Sequence, residues 1–214
     1  MQITSGLPVQ KILGVEIIEN NEPLVEVQET EEISLLSEHK FLKPYLRKTV
    51  HDMLIEASKN IPDGYKLLVV TCFRSIEMQS EMYWNRKKQL AKRFPFMMIF
   101  RYKEWLRMVG TYTAPPGGSP HHTGSAIDLT VIGPDGERLD MGTSLIDYGI
   151  KVHMINDKIT QKQAENRKLL RDAMVKVGFA YYPLEWWHYC YGDRMWAAYT
   201  EHKQCFYGPL NDFK

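Results

Sequence analysis

Apolar residues along the 214-residue chain follow two rhythms. In the first they recur every three or four positions. Leu46, Val50, Met53, Leu54, Ala57 and Ile61 form such a stripe and predict a helix over residues 45–60 with one buried face. Ser75 is a suitable N-cap for a second helix over residues 76–94. Residues 95–109 are apolar with scattered cations and predict a partly buried helix, with a membrane- or partner-facing surface as the alternative. Thr160 and Gln163 fit a capping box, opening a helix that carries Leu170, Ala173 and Met174 and stops at Gly178.

The second rhythm is that of strands. Residues 65–71 are a β-rich apolar run, as in a buried strand. Residues 124–132 alternate, with Ile127, Leu129 and Val131 on one face and Ala126, Asp128 and Thr130 on the other. Gly133-Pro134-Asp135-Gly136 reads as a hairpin turn with a return strand at 138–141. Residues 179–182 and 187–191 are short strands. Residues 12–18 and 23–28, parted by Glu19-Asn20-Asn21-Glu22, read as a hairpin or edge ribbon. The tail after Gly192 reads as aromatic and irregular. Together these elements predict an α+β fold, a central antiparallel sheet with helices packed on it.

Bulk properties narrow the function. Net charge is +1, which gives no overall electrostatic footprint for nucleic acid or an anionic membrane. No apolar run approaches the roughly 18 residues of a membrane span. The first residues lack a basic segment followed by an apolar one, so no secretory signal is expected. Cys72, Cys190 and Cys205 have no CxxC spacing and read as free thiols. These points predict a cytoplasmic protein, with the periplasm open if a signal peptide precedes the chain.

The candidate chemistry lies in two stretches. The first is Ser119-Pro120-His121-His122-Thr123-Gly124-Ser125-Ala126-Ile127-Asp128; the second is Glu185-Trp186-Trp187-His188-Tyr189. Three protein ligands from imidazole and carboxylate, plus one open position, are the composition of a catalytic zinc site. His121 on a loop, Asp128 on a strand and His188 on a distant strand supply that set, with Gly124 allowing the loop to fold back tightly. His122 is the rival to His121. Residues three apart on one strand face opposite ways, so Glu185 serves the same site only from the turn before it. Its role would be general base toward a metal-activated water. Arg74, at a strand-to-helix junction, would stabilise an oxyanion. Trp186 and Trp187 read as core and cleft wall.

The pattern Ser119-x-His121-x-x-Gly124-x-Ala126-x-Asp128 with Glu185-Trp186-Trp187-His188 resembles the zinc D,D-peptidases, most closely the VanX-like D-alanyl-D-alanine dipeptidases. The likeness runs from about residue 65 to 191. It implies one Zn2+ per chain held by His121, Asp128 and His188, Glu185 as catalytic base and Arg74 as transition-state stabiliser. It also implies that Asp147 binds the substrate's amino group and that Ser119 helps hold its carboxylate end. Fold and activity would be those of a hedgehog/D,D-peptidase-like domain over 1–214, with a 1–45 arm and a 65–191 core. It would hydrolyse a small dipeptide, with links to cell-wall peptidoglycan and antibiotic resistance. The chain has Cys72-Phe73-Arg74-Ser75 where the family usually has Gly-Tyr-Arg-Pro, and no residue in 1–45 aligns with the dipeptidases' substrate-binding tyrosine. Two alternatives accompany this reading: a D,D-carboxypeptidase trimming stem peptides, and a non-catalytic zinc-binding module of the same fold.

Overall fold

The computed structural model defines residues 5–36 and 44–210; His39 lies outside them. In chain order the elements are α1 (Val9–Leu13), β1 (Glu16–Ile17), β2 (Leu24–Glu26), β3 (Ile33–Leu35), β4 (Tyr45–Arg47) and α2 (Lys48–Ser58). Then come β5 (Lys66–Thr71), α3 (Ile76–Arg93), α4 (Pro95–Phe100), α5 (Tyr102–Tyr112), a 3-10 turn (Pro120–Thr123) and β6 (Ala126–Ile132). The chain continues with α6 (Gln161–Lys176), β7 (Ala180–Tyr181), β8 (His188–Cys190), α7 (Arg194–Tyr199) and β9 (Gln204–Cys205).

Five strands form the central sheet in the order β3-β5-β6-β8-β7. Its β5, β6, β8 and β7 neighbours are antiparallel, while β3 joins β5 in parallel. The fold is α+β, but the expected purely antiparallel sheet carries this one parallel edge. The alternation along β6 sets the layers. Ile127, Leu129 and Val131 sink into the main core with Val50 and Leu54 of α2 and Leu170 and Met174 of α6. The opposite face carries Ala126, which packs against α7 in a second cluster, and Asp128. Fully burying each such aliphatic side chain contributes about 1.5–3 kcal/mol, so β6 is held chiefly from the α2/α6 side.

Local chemistry accounts for the N-terminal ends of α3 and α6. The Ser75 hydroxyl accepts from the Met78 N–H, and Thr160 with Gln163 forms the full capping box. The predicted single helix over 95–109 is two helices. Its expected start after residue 94 holds, because the residue before a proline is driven from helical torsions and Phe94 sits at φ −132°, ψ 57° before Pro95. Arg101, at φ −136°, ψ 51°, interrupts the run.

Other expectations fail where pairing is long-range. Residues 12–18 and 23–28 do not pair with each other: β1 pairs with β9, and β2 with β4. Ile12 and Leu13 belong to α1, and the helix expected from residue 45 begins at Lys48, after β4. The return strand at 138–141 reduces to a single bridge, Ile132 to Arg138. The tail expected to be irregular holds α7 and β9. Asp193 caps α7 by accepting from the Trp196 N–H at 2.8 Å, a signal present in the sequence.

Candidate active site

Two short hydrogen-bonded strips bring the predicted residues together. The first runs from Cys72 to Arg74, just past β5. The His121 Nδ1–H donates to the Cys72 carbonyl at 2.8 Å, and the Arg74 N–H donates to the His121 carbonyl at 3.1 Å. The His122 Nδ1–H donates to the Arg74 carbonyl at 2.7 Å. One extended segment therefore positions both histidines of the 3-10 turn and the backbone of the arginine. A carbonyl can only accept, so Nδ1 of neutral His121 carries the proton and Nε2 keeps its lone pair. His122, the rival candidate, is committed to this clamp and stands outside the cluster.

The second strip is the β6–β8 pair, where Asp128 and His188 are register partners. Side chains directly opposite on one face are neighbours. Accordingly His188 Nδ1 lies 2.8 Å from one Asp128 oxygen, and His121 Nε2 lies 3.2 Å from the other. The two imidazole rings are 5.0 Å apart and near perpendicular. Candidate ligand atoms of His121, Asp128 and His188 all fall within 4.8 Å of one another.

Gly124 is needed where the loop turns into β6. It lies at φ +71°, and a Cβ there would come 2.4 Å from Leu24 Cδ2. Arg47, buried at 1% exposure, holds the same corner. Its Nε donates to the Thr123 carbonyl at 2.8 Å, and its guanidinium pairs with Glu19 at 3.0 Å.

Electrostatics set the protonation states. Burial alone would raise the Asp128 carboxyl, but the His121 and His188 rings outweigh it and hold the group well below its ordinary range. Burial lowers His121 despite Asp128, which keeps that imidazole neutral, the state in which it can ligate a metal. Burial also pulls His188 down, but its hydrogen bond to Asp128 more than offsets this and the net shift is upward.

Glu185 occupies the turn before β8, not the strand, so the spacing conflict disappears. Its backbone N–H donates to the Tyr182 carbonyl at 3.2 Å. Burial pushes its carboxyl up to about 7, with His188 and Arg74 pulling down and Asp128 pushing up. Arg74 is lowered by burial and feels both Asp128 and Glu185. Its Nη1 donates to Gln79 Oε1 at 2.9 Å, while Nε is buried without a partner. Gln79 in turn donates to the Ala114 carbonyl at 2.6 Å.

Sequence reasoning missed Gln79 and Arg47. Both act through long-range contacts that no local motif announces. Ser119 is buried at the entry to the 3-10 turn. Asp147 lies on an exposed loop, where it accepts from the Ser144 N–H at 2.7 Å. Among the described residues, no hydrogen bond or ion pair joins either side chain to His121, Asp128 or His188.

The donor set fits a divalent ion. Ligand atoms about 2.0–2.1 Å from a tetrahedral zinc stand roughly 3.3 Å from one another; the His121–Asp128 contact at 3.2 Å matches that spacing, and the His188–Asp128 contact at 2.8 Å is a hydrogen bond that an ion would open. His188 also keeps a buried ring nitrogen, Nε2, without a hydrogen-bond partner.

A sheet that brings two imidazoles and an aspartate to one point, beside a glutamate poised near neutrality, defines a metallopeptidase. The comparisons narrow the class. The model of the D-ala-D-ala dipeptidase family, Peptidase_M15, matches residues 46–208, and the chain belongs to that family. It is similar to a D-alanyl-D-alanine dipeptidase of Synechocystis sp., at 26% identity over 226 aligned positions, 89% of this chain and 90% of that protein. It is also similar to one of Enterococcus faecium, at 42% over 76 positions, 35% of this chain and 38% of that protein. Among solved structures, the LD-carboxypeptidase LdcB aligns over 91% of this chain and 84% of its own, at 23% identity and TM-score 0.48. VanYB in complex with D-alanine-D-alanine aligns over 90% and 94%, at 18% identity and TM-score 0.47.

Proposed function

We propose that this chain hydrolyses the peptide bond of a small dipeptide, D-Ala-D-Ala foremost, at a single zinc ion held by His121, Asp128 and His188. The observation that carries the reading is the Asp128 carboxylate set between two imidazoles, 2.8 Å and 3.2 Å away, with Glu185 in the adjoining turn.

Zinc bound by this set supplies Lewis acidity, polarising the scissile carbonyl and lowering the pKa of a water to about 7. Glu185 takes a proton from the attacking water at a carboxylate oxygen and passes it to the leaving amine. Burial pushes this carboxyl up to about 7 in the metal-free protein, and a bound cation would pull it back toward the carboxylate form that accepts the proton. The Arg74 guanidinium donates N–H groups toward the oxygen on which negative charge develops, with Gln79 fixing its plane. Ser119 is assigned to the substrate's carboxylate end and Asp147 to its free amine. The whole chain is read as one peptidase domain, its 1–45 arm bracing the edge of the site through Glu19 and Arg47. The buried free thiols of Cys72, Cys190 and Cys205 suit a reducing compartment, which supports a cytoplasmic setting.

The deciding experiment gives the zinc-loaded protein free D-Ala-D-Ala and, separately, a pentapeptide stem ending in D-Ala-D-Ala. Alanine release from the free dipeptide supports the reading. Release from the stem alone would reassign the chain as a D,D-carboxypeptidase, and release from neither would reject hydrolysis of this bond.

A further inference from the structure

Helices α3, α4 and α5 stand apart from the catalytic sheet. Their apolar contacts form a cluster of their own, built on Leu90, Trp105 and Val109 with Met97 and Met98 packed against it. Helix α4 turns the other way as well. Phe96 is 76% exposed, Ile99 63% and Phe100 76%, and the two phenyl rings stack one helical turn apart with centroids at 6.4 Å. Trp84 and Tyr102 add exposed amphipathic rings. Single exposed apolar residues are ordinary, but three on one short helix, beside two aromatic rings, form a patch.

Charge identifies what covers it. Residues 86–107 hold eight lysines and arginines and one carboxylate, Glu104. The whole chain is only +1, so the remainder is net negative and this unit is the positive pole of the molecule. The cations bracket the patch. Lys88, Lys92 and Arg93 are exposed on the last turns of α3, Arg101 follows α4, and Lys103 lies on α5. Exposed phenyl and indole rings framed by basic side chains suit the headgroup–acyl boundary of an anionic bilayer. A soluble polyanion would match the charge but leave the phenyl rings in water. No described helix is long and apolar enough to cross a membrane, so the geometry is one of lying on the surface.

We infer that the α3–α5 unit docks the protein onto anionic phospholipid, with Phe96, Ile99 and Phe100 entering the interface and the surrounding lysines and arginines contacting headgroups. The unit is rooted at the site: α3 begins at Ser75, next to Arg74, and Gln79 bonds to Ala114 just beyond α5. The patch lies beyond the far end of α3, about 27 Å from Ser75 at 1.5 Å per residue, so docking tethers the catalytic sheet to the lipid surface by the length of that helix. This inference does not depend on the peptidase reading, because its readout is binding.

The test is flotation of the full chain with vesicles of phosphatidylcholine alone and with about one third phosphatidylglycerol, alongside capture on immobilised heparin as a soluble polyanion. The wild type is expected to float with the anionic vesicles and to stay behind with the neutral ones. Phe96→Ser with Phe100→Ser should weaken that partition roughly tenfold or more while dipeptide turnover in solution is kept. Lys88→Glu with Lys92→Glu should do the same and should flatten the dependence of binding on salt and on lipid charge. Equal flotation on both vesicle types would overturn the inference. So would a Phe96/Phe100 variant that floats like the wild type, with heparin capture then pointing to a nucleic-acid-like or other soluble polyanion.

Discussion

The β5–β6–β8 centre and the α3–α5 unit are joined at Arg74 and Gln79 yet are built on opposite principles. In the centre, apolar contact holds one face of the sheet and leaves the other to costly polar groups. His188 is buried on that face and Asp128 half-buried beside it at 13% exposure, and they tolerate this only because each satisfies the other. In the helical unit Gln79 is buried, but the charged groups of α3 and α5 reach water, and Phe96, Ile99 and Phe100 are left uncovered. The first region stores unfavourable electrostatics where a cation and a substrate can relieve them; the second stores unfavourable hydration where another surface can. The difference predicts that substitutions in the centre change chemistry and that substitutions in the unit leave it alone.

The largest effect is expected at Glu185. Glu185→Gln keeps the shape but removes the proton acceptor, and turnover of D-Ala-D-Ala should fall by about a thousandfold or more, with zinc still bound at one per chain. Chelation of the metal should abolish turnover of the wild type and added zinc should restore it. A glutamine variant retaining a tenth or more of wild-type kcat would mean that another group takes the proton.

Arg74 comes next. Removing one oxyanion donor costs on the order of a hundred- to a thousandfold in kcat, and Arg74→Ala should fall in that range with little change in zinc content. Gln79 only positions that guanidinium, so Gln79→Ala should lose about tenfold, and Gln79→Glu, which preserves an acceptor, should recover part of it. Equal losses at both positions would show that Gln79 does more than orient its neighbour.

The two carboxylates of the centre should also part company in metal-free protein as pH changes. Glu185 has a folded-state pKa raised from 4.5 to about 7. Within that window the folded state binds more protons than the unfolded one, so stability falls as pH rises. Metal-free Glu185→Gln should escape that loss and exceed the wild type by on the order of 3 kcal/mol at about pH 8, with no advantage below about pH 4. Asp128 is shifted the other way, so its contribution is present above its unfolded pKa and lost as pH falls. Urea midpoints across the range measure both. A Glu185→Gln advantage that grew toward acid would reverse the assigned sign.

How much of this could be read from the chain follows the same division. The alternation along β6 and the capping residues Ser75 and Thr160 are local, and local physics is visible in sequence; they located the strand that carries Asp128 and the start of two helices. The two motif stretches named the cluster because spacing and residue type together restrict what a fold can do with them. Legibility failed for β1, β2 and β9, strands of two or three residues whose partners lie far away in sequence. It failed for the same reason at Arg47 and Gln79, whose partners Thr123 and Ala114 are 76 and 35 residues distant. The break at Phe94, ahead of a proline, was legible and falls where the sequence put it; the one at Arg101 was not, because no proline or glycine marks it within the apolar run 95–109.

The smallest effect on chemistry should come from within the helical unit, and it is the sharpest test of the contrast. Leu90 is buried at 4% exposure in a cluster that shares no residue with the cores around the sheet. Leu90→Ala should cost about 2–5 kcal/mol of local stability, as buried leucine truncations do. If the unit is energetically separate, that loss appears as faster amide exchange across α3, α4 and α5, while β5, β6 and β8 keep their protection and kcat changes by less than about twofold. The first turn of α3 is the exception to watch, because Gln79 reaches Arg74 from it and its Nε2 is tied to the carbonyl of Ala114. A fall in kcat that matches Gln79→Ala would mean that the helical cluster sets the plane of the guanidinium from a distance, and the two regions would then have to be treated as one mechanical body.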